Sequence, residues 1–146
     1  MLYFDTSFIT PIFRKEASSI DVERFLQRQT PGTLAISHWA RVEFSSLLAR
    51  DVRMRTIGRN EAFDLDAQFE TIIARSFILL LPDQSDFELC KHYIQRFDTG
   101  LRGGDALHLA IAHNRRAQAV YTLDKKLLKA GKMLGLPVSQ GIGGQD

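Results

Sequence analysis

The chain has 146 residues, 45% of them hydrophobic and 25% charged, with a formal net charge of +2. That length predicts one domain whose core can stand without disulfide or metal staples, and the mild basicity allows a polyanionic partner. The one cysteine, Cys90, excludes an intramolecular disulfide and suits a reducing cytosol, and no apolar run approaches the roughly 18 residues of a membrane helix.

Residues 1–5 read as a first strand, four apolar side chains stopped by Asp5. Residues 6–14 read as a short turn or helix broken at Pro11, and 19–29 as a helix anchored on Ile20, Phe25 and Leu26. Pro31-Gly32 marks a turn. Residues 33–37 form a second strand, and Ser37 is placed to cap a helix over 38–55. A further helix covers 59–75, and 77–81 form a third strand ended by Pro82. Residues 83–97 read as a helix with Ser85 or Asp86 as cap, 100–104 as a loop and 105–116 as a helix. A fourth strand at 119–123, a helix at 125–134 and a short strand around Val138 complete a domain over 1–140. The remainder, 141–146, reads as a mobile tail. The start lacks a basic region and carries Asp5 inside its apolar segment, which argues against a signal peptide. This alternation predicts an α/β/α sandwich of three layers around a mostly parallel central sheet of four to five strands. In such sheets ligands bind beyond the carboxyl ends of the strands.

Four acids stand where strand gives way to helix. Asp5 and Asp124 end apolar strands, although each could equally cap the next helix. Glu43 shares a helical arc with Trp39 and Leu47, beside the apolar stripe of Ala40, Phe44 and Leu48. A charge at the edge of a core needs a purpose or a partner, such as Arg41 or Arg50. Asp105 opens a helix that is apolar almost all round, after Gly103-Gly104, which lets backbone approach closely. Thr122 lies two residues before Asp124, so strand periodicity would set hydroxyl and carboxylate side by side. Carboxylates that converge on one pocket need a hard cation. A metal-dependent phosphodiester-cleaving enzyme is therefore the leading expectation.

The segments Tyr3-Phe4-Asp5-Thr6-Ser7, Arg41-Val42-Glu43-Phe44, Asp105-Ala106-Leu107-His108-Leu109-Ala110 and Thr122-Leu123-Asp124 resemble the four signatures of PIN-domain ribonucleases. The compact form resembles the VapC-type toxins of toxin–antitoxin pairs. The resemblance implies a PIN-like fold and an endoribonuclease site in which Asp5, Glu43, Asp105 and Asp124 hold Mg²⁺ or Mn²⁺. It implies 5′-phosphate and 3′-hydroxyl products, a homodimer and a small antitoxin whose tail enters the active-site groove, while the cytoplasmic setting is expected from the single cysteine. Thr6, Ser7 and Thr122 are expected to support the acids. The family frequently carries Asn where this chain has Ser7, which can still hydrogen-bond in the pocket.

Arg102, just before the glycine pair, is placed to meet RNA phosphate. The other basic clusters, at Arg50, Arg53, Arg55 and Arg59, at Arg115-Arg116 and along Lys125, Lys126, Lys129 and Lys132, read mostly as solvated helix faces. His108 reads as a packed, hydrogen-bonded core residue, and Phe44 as core. The helix at 59–75, with Phe63 and Phe69, offers an apolar groove for an antitoxin or a second subunit. His38, His92, His113 and Cys90 lack zinc spacing. Two rivals need other residues: a receiver domain wants acidic neighbours for Asp5, and a haloacid-dehalogenase-like phosphatase wants Asp-x-Asp. A PIN relative that binds RNA without cleaving it would not need all four acids.

Overall fold

A computed structural model of the protein describes residues 1–143. Among these residues the chain runs β1 (Leu2–Phe4), α1 (Thr6–Phe13), α2 (Ser19–Gln27), β2 (Leu34–Ser37), α3 (His38–Arg53), α4 (Arg59–Ser76), β3 (Ile78–Leu80), α5 (Gln84–Gln95), a short 3-10 turn (Phe97–Thr99), α6 (Gly103–Asn114), β4 (Ala119–Tyr121), α7 (Lys125–Met133) and β5 (Val138–Ser139). The five strands form one sheet in the order β3-β2-β1-β4-β5, and every pairing is parallel. The expected α/β/α sandwich is met, with the sheet wholly parallel.

Strand periodicity divides the core. Phe4 and Ile36 face one cluster with Phe8, Phe44 and Phe69, built on α1–α4. Tyr3 and Val120 face a second cluster with Leu109, Ile111 and Leu127, built on α5–α7. Successive strand residues point to opposite faces, so apolar runs such as Leu2-Tyr3-Phe4 are buried on both sides. Phe44 stacks on Phe69 with ring centroids 4.3 Å apart, which fixes α3 on α4. Arg14, after α1, pairs with the buried Asp51 of α3 through both carboxylate oxygens, at 3.0 and 3.1 Å. That bidentate contact locks the far ends of the two helices that open at the site.

Local chemistry amends several boundaries. Pro11 lies inside α1 and does not break it. Its missing N–H costs the bond to the Ser7 carbonyl, but Phe8, Ile9 and Phe13 are buried and hold the helix by packing. Ser37 occupies the cap position of α3, fully buried at the end of β2, and makes no side-chain cap bond. Asp83, not Ser85 or Asp86, caps α5, in a reciprocal capping box with Asp86. Gly103 and Gly104 belong to the first turn of α6, so Asp105 is the third residue of that helix and does not open it. Of the expected tail 141–146, Ile142 packs against the first core cluster, and residues 144–146 lie outside the described residues.

The approach of α7 to β5 depends on Gly131. A Cβ built there would sit 2.4 Å from Val138 Cγ1, inside any tolerable contact. Gly131→Ala should destabilise the fold by about 1–3 kcal/mol, the usual cost of overpacking, as read from urea denaturation. An unchanged midpoint would mean that the two elements separate freely.

Candidate active site

The strand order creates a switch point. From β1 the chain builds outward to β2 and β3, then crosses back to β4 on the other side of β1. A crevice opens beyond the carboxyl ends of β1 and β4, where open parallel sheets bind ligands. Asp5 follows β1, Thr122 and Asp124 follow β4, Glu43 rides on α3 as it leaves β2, and Asp105 sits in the first turn of α6. Asp5, Glu43, Asp105 and Asp124 all line one cavity of about 210 Å³, with Thr6, Ser7, Thr10, Leu47 and His108. A larger hollow of about 350 Å³ between α3 and α4, lined by Leu48, Val52 and Phe63, contains Asp66 but no cluster of acids. Chemistry, not size, makes the smaller cavity the candidate site.

Asp5 is 3% exposed and bonded at both oxygens. Oδ1 accepts from the Ser7 hydroxyl at 2.7 Å and the Phe8 amide at 3.1 Å, so Asp5 also caps α1. Oδ2 accepts from the Thr122 hydroxyl at 2.6 Å. The Asp5 amide donates to the Tyr121 carbonyl at 3.1 Å and ties the acid to β4. Burial pushes the Asp5 carboxyl above its ordinary value, against the lowering effect of His108, Thr122 and Ser7. Thr122 therefore serves Asp5 and not the Asp124 carboxylate. β4 ends at Tyr121, so strand periodicity does not run on to Asp124. The Thr122 hydroxyl accepts from the Asp124 amide at 3.0 Å, and the Asp124 side chain caps α7 through the amides of Lys126 and Leu127.

Glu43 does not pair with arginine. Arg41 is taken by Glu70 at 2.9 Å. Glu43 Oε1 instead accepts from the Thr6 hydroxyl at 2.7 Å and meets Nε2 of His108 in a short contact. Burial raises the Glu43 carboxyl, but the hydrogen bond and charge of His108, with Thr6, hold it below the usual carboxylate range. His108 is buried; burial lowers its imidazole, but Glu43, then Asp5 and Asp105, outweigh this and raise it. Its Nδ1 lies 2.6 Å from the Tyr3 hydroxyl. At Gly104 a Cβ would stand 3.2 Å from Glu43 Oε2 and 3.3 Å from the Trp39 indole nitrogen, so the glycine lets α6 close on α3.

Asp105 is pushed up to about 6, first by burial and then by Asp124, with Glu43 and Asp5 adding to it and His108 opposing. The α6 N-terminus offsets this with about 0.3–1 kcal/mol of dipole stabilisation. Arg102 stands exposed at the cap position of α6 and does not line the cavity. The sequence reading placed the four acids, Thr6, Ser7 and Thr122 here. Tyr3 and Thr10 are not among the residues it singles out and Leu47 enters only through the Glu43 arc, while His108 is the packed, hydrogen-bonded core residue expected and lines the cavity as well. One signal for Tyr3 existed: it is the one polar side chain among three strand residues, and a buried hydroxyl needs a partner.

Carboxylate oxygens on several elements are the donors that Mg²⁺ or Mn²⁺ takes, so the donor set fits a hard cation. As the side chains stand, no group of three or more His, Cys, Asp or Glu among the described residues is close enough to hold a metal ion. A cation taken up here must draw the carboxylates together.

Protonation at Asp105 sets a pH dependence. Between its ordinary value of 3.8 and about 6, the folded chain keeps a proton that the unfolded chain has released. Stability of the metal-free protein should thus fall as pH rises through that window. Asp5, also raised, adds in the same direction. A cation bound at these acids would compete with that proton, so Mg²⁺ should raise Tm more at pH 7.5 than at pH 5. Asp105→Asn should flatten both effects in thermal melts; an equal Mg²⁺ shift at the two pH values would contradict this.

Residues 2–133 match the PIN domain family. No curated protein matches the chain significantly. Among solved structures, the fold resembles FitAcB from Neisseria gonorrhoeae, with a TM-score of 0.74 at 17% identity, covering 97% of this chain and 98% of that one. VapC20 of Mycobacterium tuberculosis, a sarcin-ricin loop cleaving toxin, has a TM-score of 0.71 at 20% identity, over 90% of this chain and 95% of its own. A toxin–antitoxin complex from Klebsiella pneumoniae gives 0.67 at 18% identity, over 97% and 98%. At these identities the likeness shows the fold. Among the described residues no helix is long and apolar enough to cross a membrane.

Proposed function

Because the chain belongs to the PIN domain family, we propose that it is a metal-dependent endoribonuclease, the toxin of a toxin–antitoxin pair. The observation that carries this reading is the meeting of Asp5, Glu43, Asp105 and Asp124 on one cavity at the sheet's switch point. Family membership leaves no ground for the receiver and phosphatase alternatives.

Asp5, Glu43 and Asp105 would hold Mg²⁺ or Mn²⁺, with Asp124 at the rim. When bound, the cation supplies Lewis acidity, which makes water a nucleophile at neutral pH and neutralises charge on the phosphoryl and leaving oxygens. The chain's own residues prepare that site. Ser7 and Thr122 fix the Asp5 carboxylate by donating to it from both sides. Thr6 and His108 keep Glu43 ionised and oriented. Asp124 adds negative charge beside Asp105, which strengthens the pull on a cation. Exposed Arg102, Lys125 and Lys126 would steer the RNA backbone toward the acids. The partners proposed are an RNA substrate, a small antitoxin and a second copy of the chain, in the cytoplasm.

Asp5→Asn, Glu43→Gln and Asp105→Asn should each lower Mg²⁺-dependent cleavage of a single-stranded RNA by at least 100-fold, with the fold intact by circular dichroism. Asp124→Asn should cost less. Wild-type protein free of host nuclease that cleaves no RNA with Mg²⁺ or Mn²⁺ would favour the non-cleaving RNA-binding relative. Arg102→Ala should weaken RNA binding and reduce the salt slope by about 1, as measured by filter binding across salt concentrations; an unchanged slope removes Arg102 from the RNA path.

A further inference from the structure

On the reading of the acidic cavity as a cation site, we propose that Tyr3 and His108 form a positioning pair for Glu43. They commit Oε1 to the interior and leave Oε2 as the oxygen available to the cation. Glu43 is flexible by nature, with three rotatable side-chain bonds on α3. His108 is a rigid ring, 1% exposed, on the buried face of α6. Its Nε2 meets Glu43 Oε1 and lies 3.3 Å from the Thr6 hydroxyl. A carboxylate only accepts, so Nε2 carries a proton and donates. The other ring nitrogen lies 2.6 Å from the hydroxyl of Tyr3, which is 0% exposed in the central strand β1. The rings meet edge-on, with centroids 5.8 Å apart.

The sheet thus fixes Tyr3, Tyr3 fixes the imidazole, and the imidazole fixes the carboxylate. The arrangement works with neutral or protonated imidazole, since Tyr3 can donate to Nδ1 or accept from it. Oε2 lies toward Gly104, where a Cβ would stand 3.2 Å from it. Both ring nitrogens of a buried histidine need partners, and here one of the partners is Glu43, a carboxylate of the cavity itself. Outer-shell partners of this kind orient metal ligands and tune their affinity.

The test is calorimetric titration of the full chain with Mn²⁺ at pH 7.5, beside RNA cleavage and thermal melts in chelator. His108→Leu should weaken Mn²⁺ binding by roughly 10–100-fold. Tyr3→Phe, which keeps the packing and does not touch Glu43, should weaken it in the same direction by less. His108→Gln, whose side-chain amide can donate where Nε2 did, should recover most of the affinity. The inference falls if folded His108→Leu and Tyr3→Phe both bind Mn²⁺ like wild type, or if His108→Gln binds no better than His108→Leu. Should His108→Leu not fold, Tyr3→Phe decides. Wild-type protein that binds no Mn²⁺ overturns the cation reading itself and this inference with it, whereas intact wild-type binding with unchanged variants overturns only the positioning role.

Discussion

The burial of Asp5 at the end of the central strand is the constraint on which the rest of the structure turns. A carboxylate that is 3% exposed cannot stay there without compensation. The protein gives it hydroxyls from Ser7 and Thr122 and the Phe8 amide in the first turn of α1. Those donors come from two elements on either side of the β1–β4 crevice. The same contacts that make Asp5 tolerable therefore hold the crevice in shape. Helix α1 starts at this acid and α3 starts one strand away, and their other ends are locked by Arg14 and Asp51.

Around Asp5 the remaining acids are treated unequally. Glu43 is drawn below its ordinary range by His108 and Thr6, so it is ionised in advance. Asp105 is held up near 6 by burial and by Asp124, so it carries charge reluctantly. One acid is ready and the other waits for a compensating charge, a pattern common where environments push titratable groups apart. His108 sits among them as a buried hydrogen-bond donor to Glu43, and the surrounding acids raise its imidazole. It offsets part of the repulsion that would otherwise make so many acids costly in one cavity.

Much of this was legible in the sequence because apolar periodicity and strand-end acids are local signals. The alternation of strand and helix follows from short two-face-buried runs such as Leu34-Ala35-Ile36, set between amphipathic stretches. Glu43 stood out because it borders the stripe of Ala40, Phe44 and Leu48, all buried. What was not legible depends on contacts between distant residues. Tyr3 and His108 are 105 positions apart, and nothing local joins them. Gly103 and Gly104 read as loop because glycine is a poor helix former, yet the close approach of Glu43 and Trp39 requires Gly104 in the helix. Pro11 likewise survives within α1 because burial on two sides outweighs one lost hydrogen bond.

The central proposal is that these acids gather around divalent metal. Diffraction from crystals soaked in Mn²⁺, recorded at a wavelength where manganese scatters anomalously, addresses it without any assay of activity. The account predicts a strong anomalous peak inside the cavity lined by Asp5, Glu43, Asp105 and Asp124, with at least two of their carboxylates turned to ligate it. Ordered manganese only elsewhere on the surface, with the four carboxylates unmoved, would contradict it.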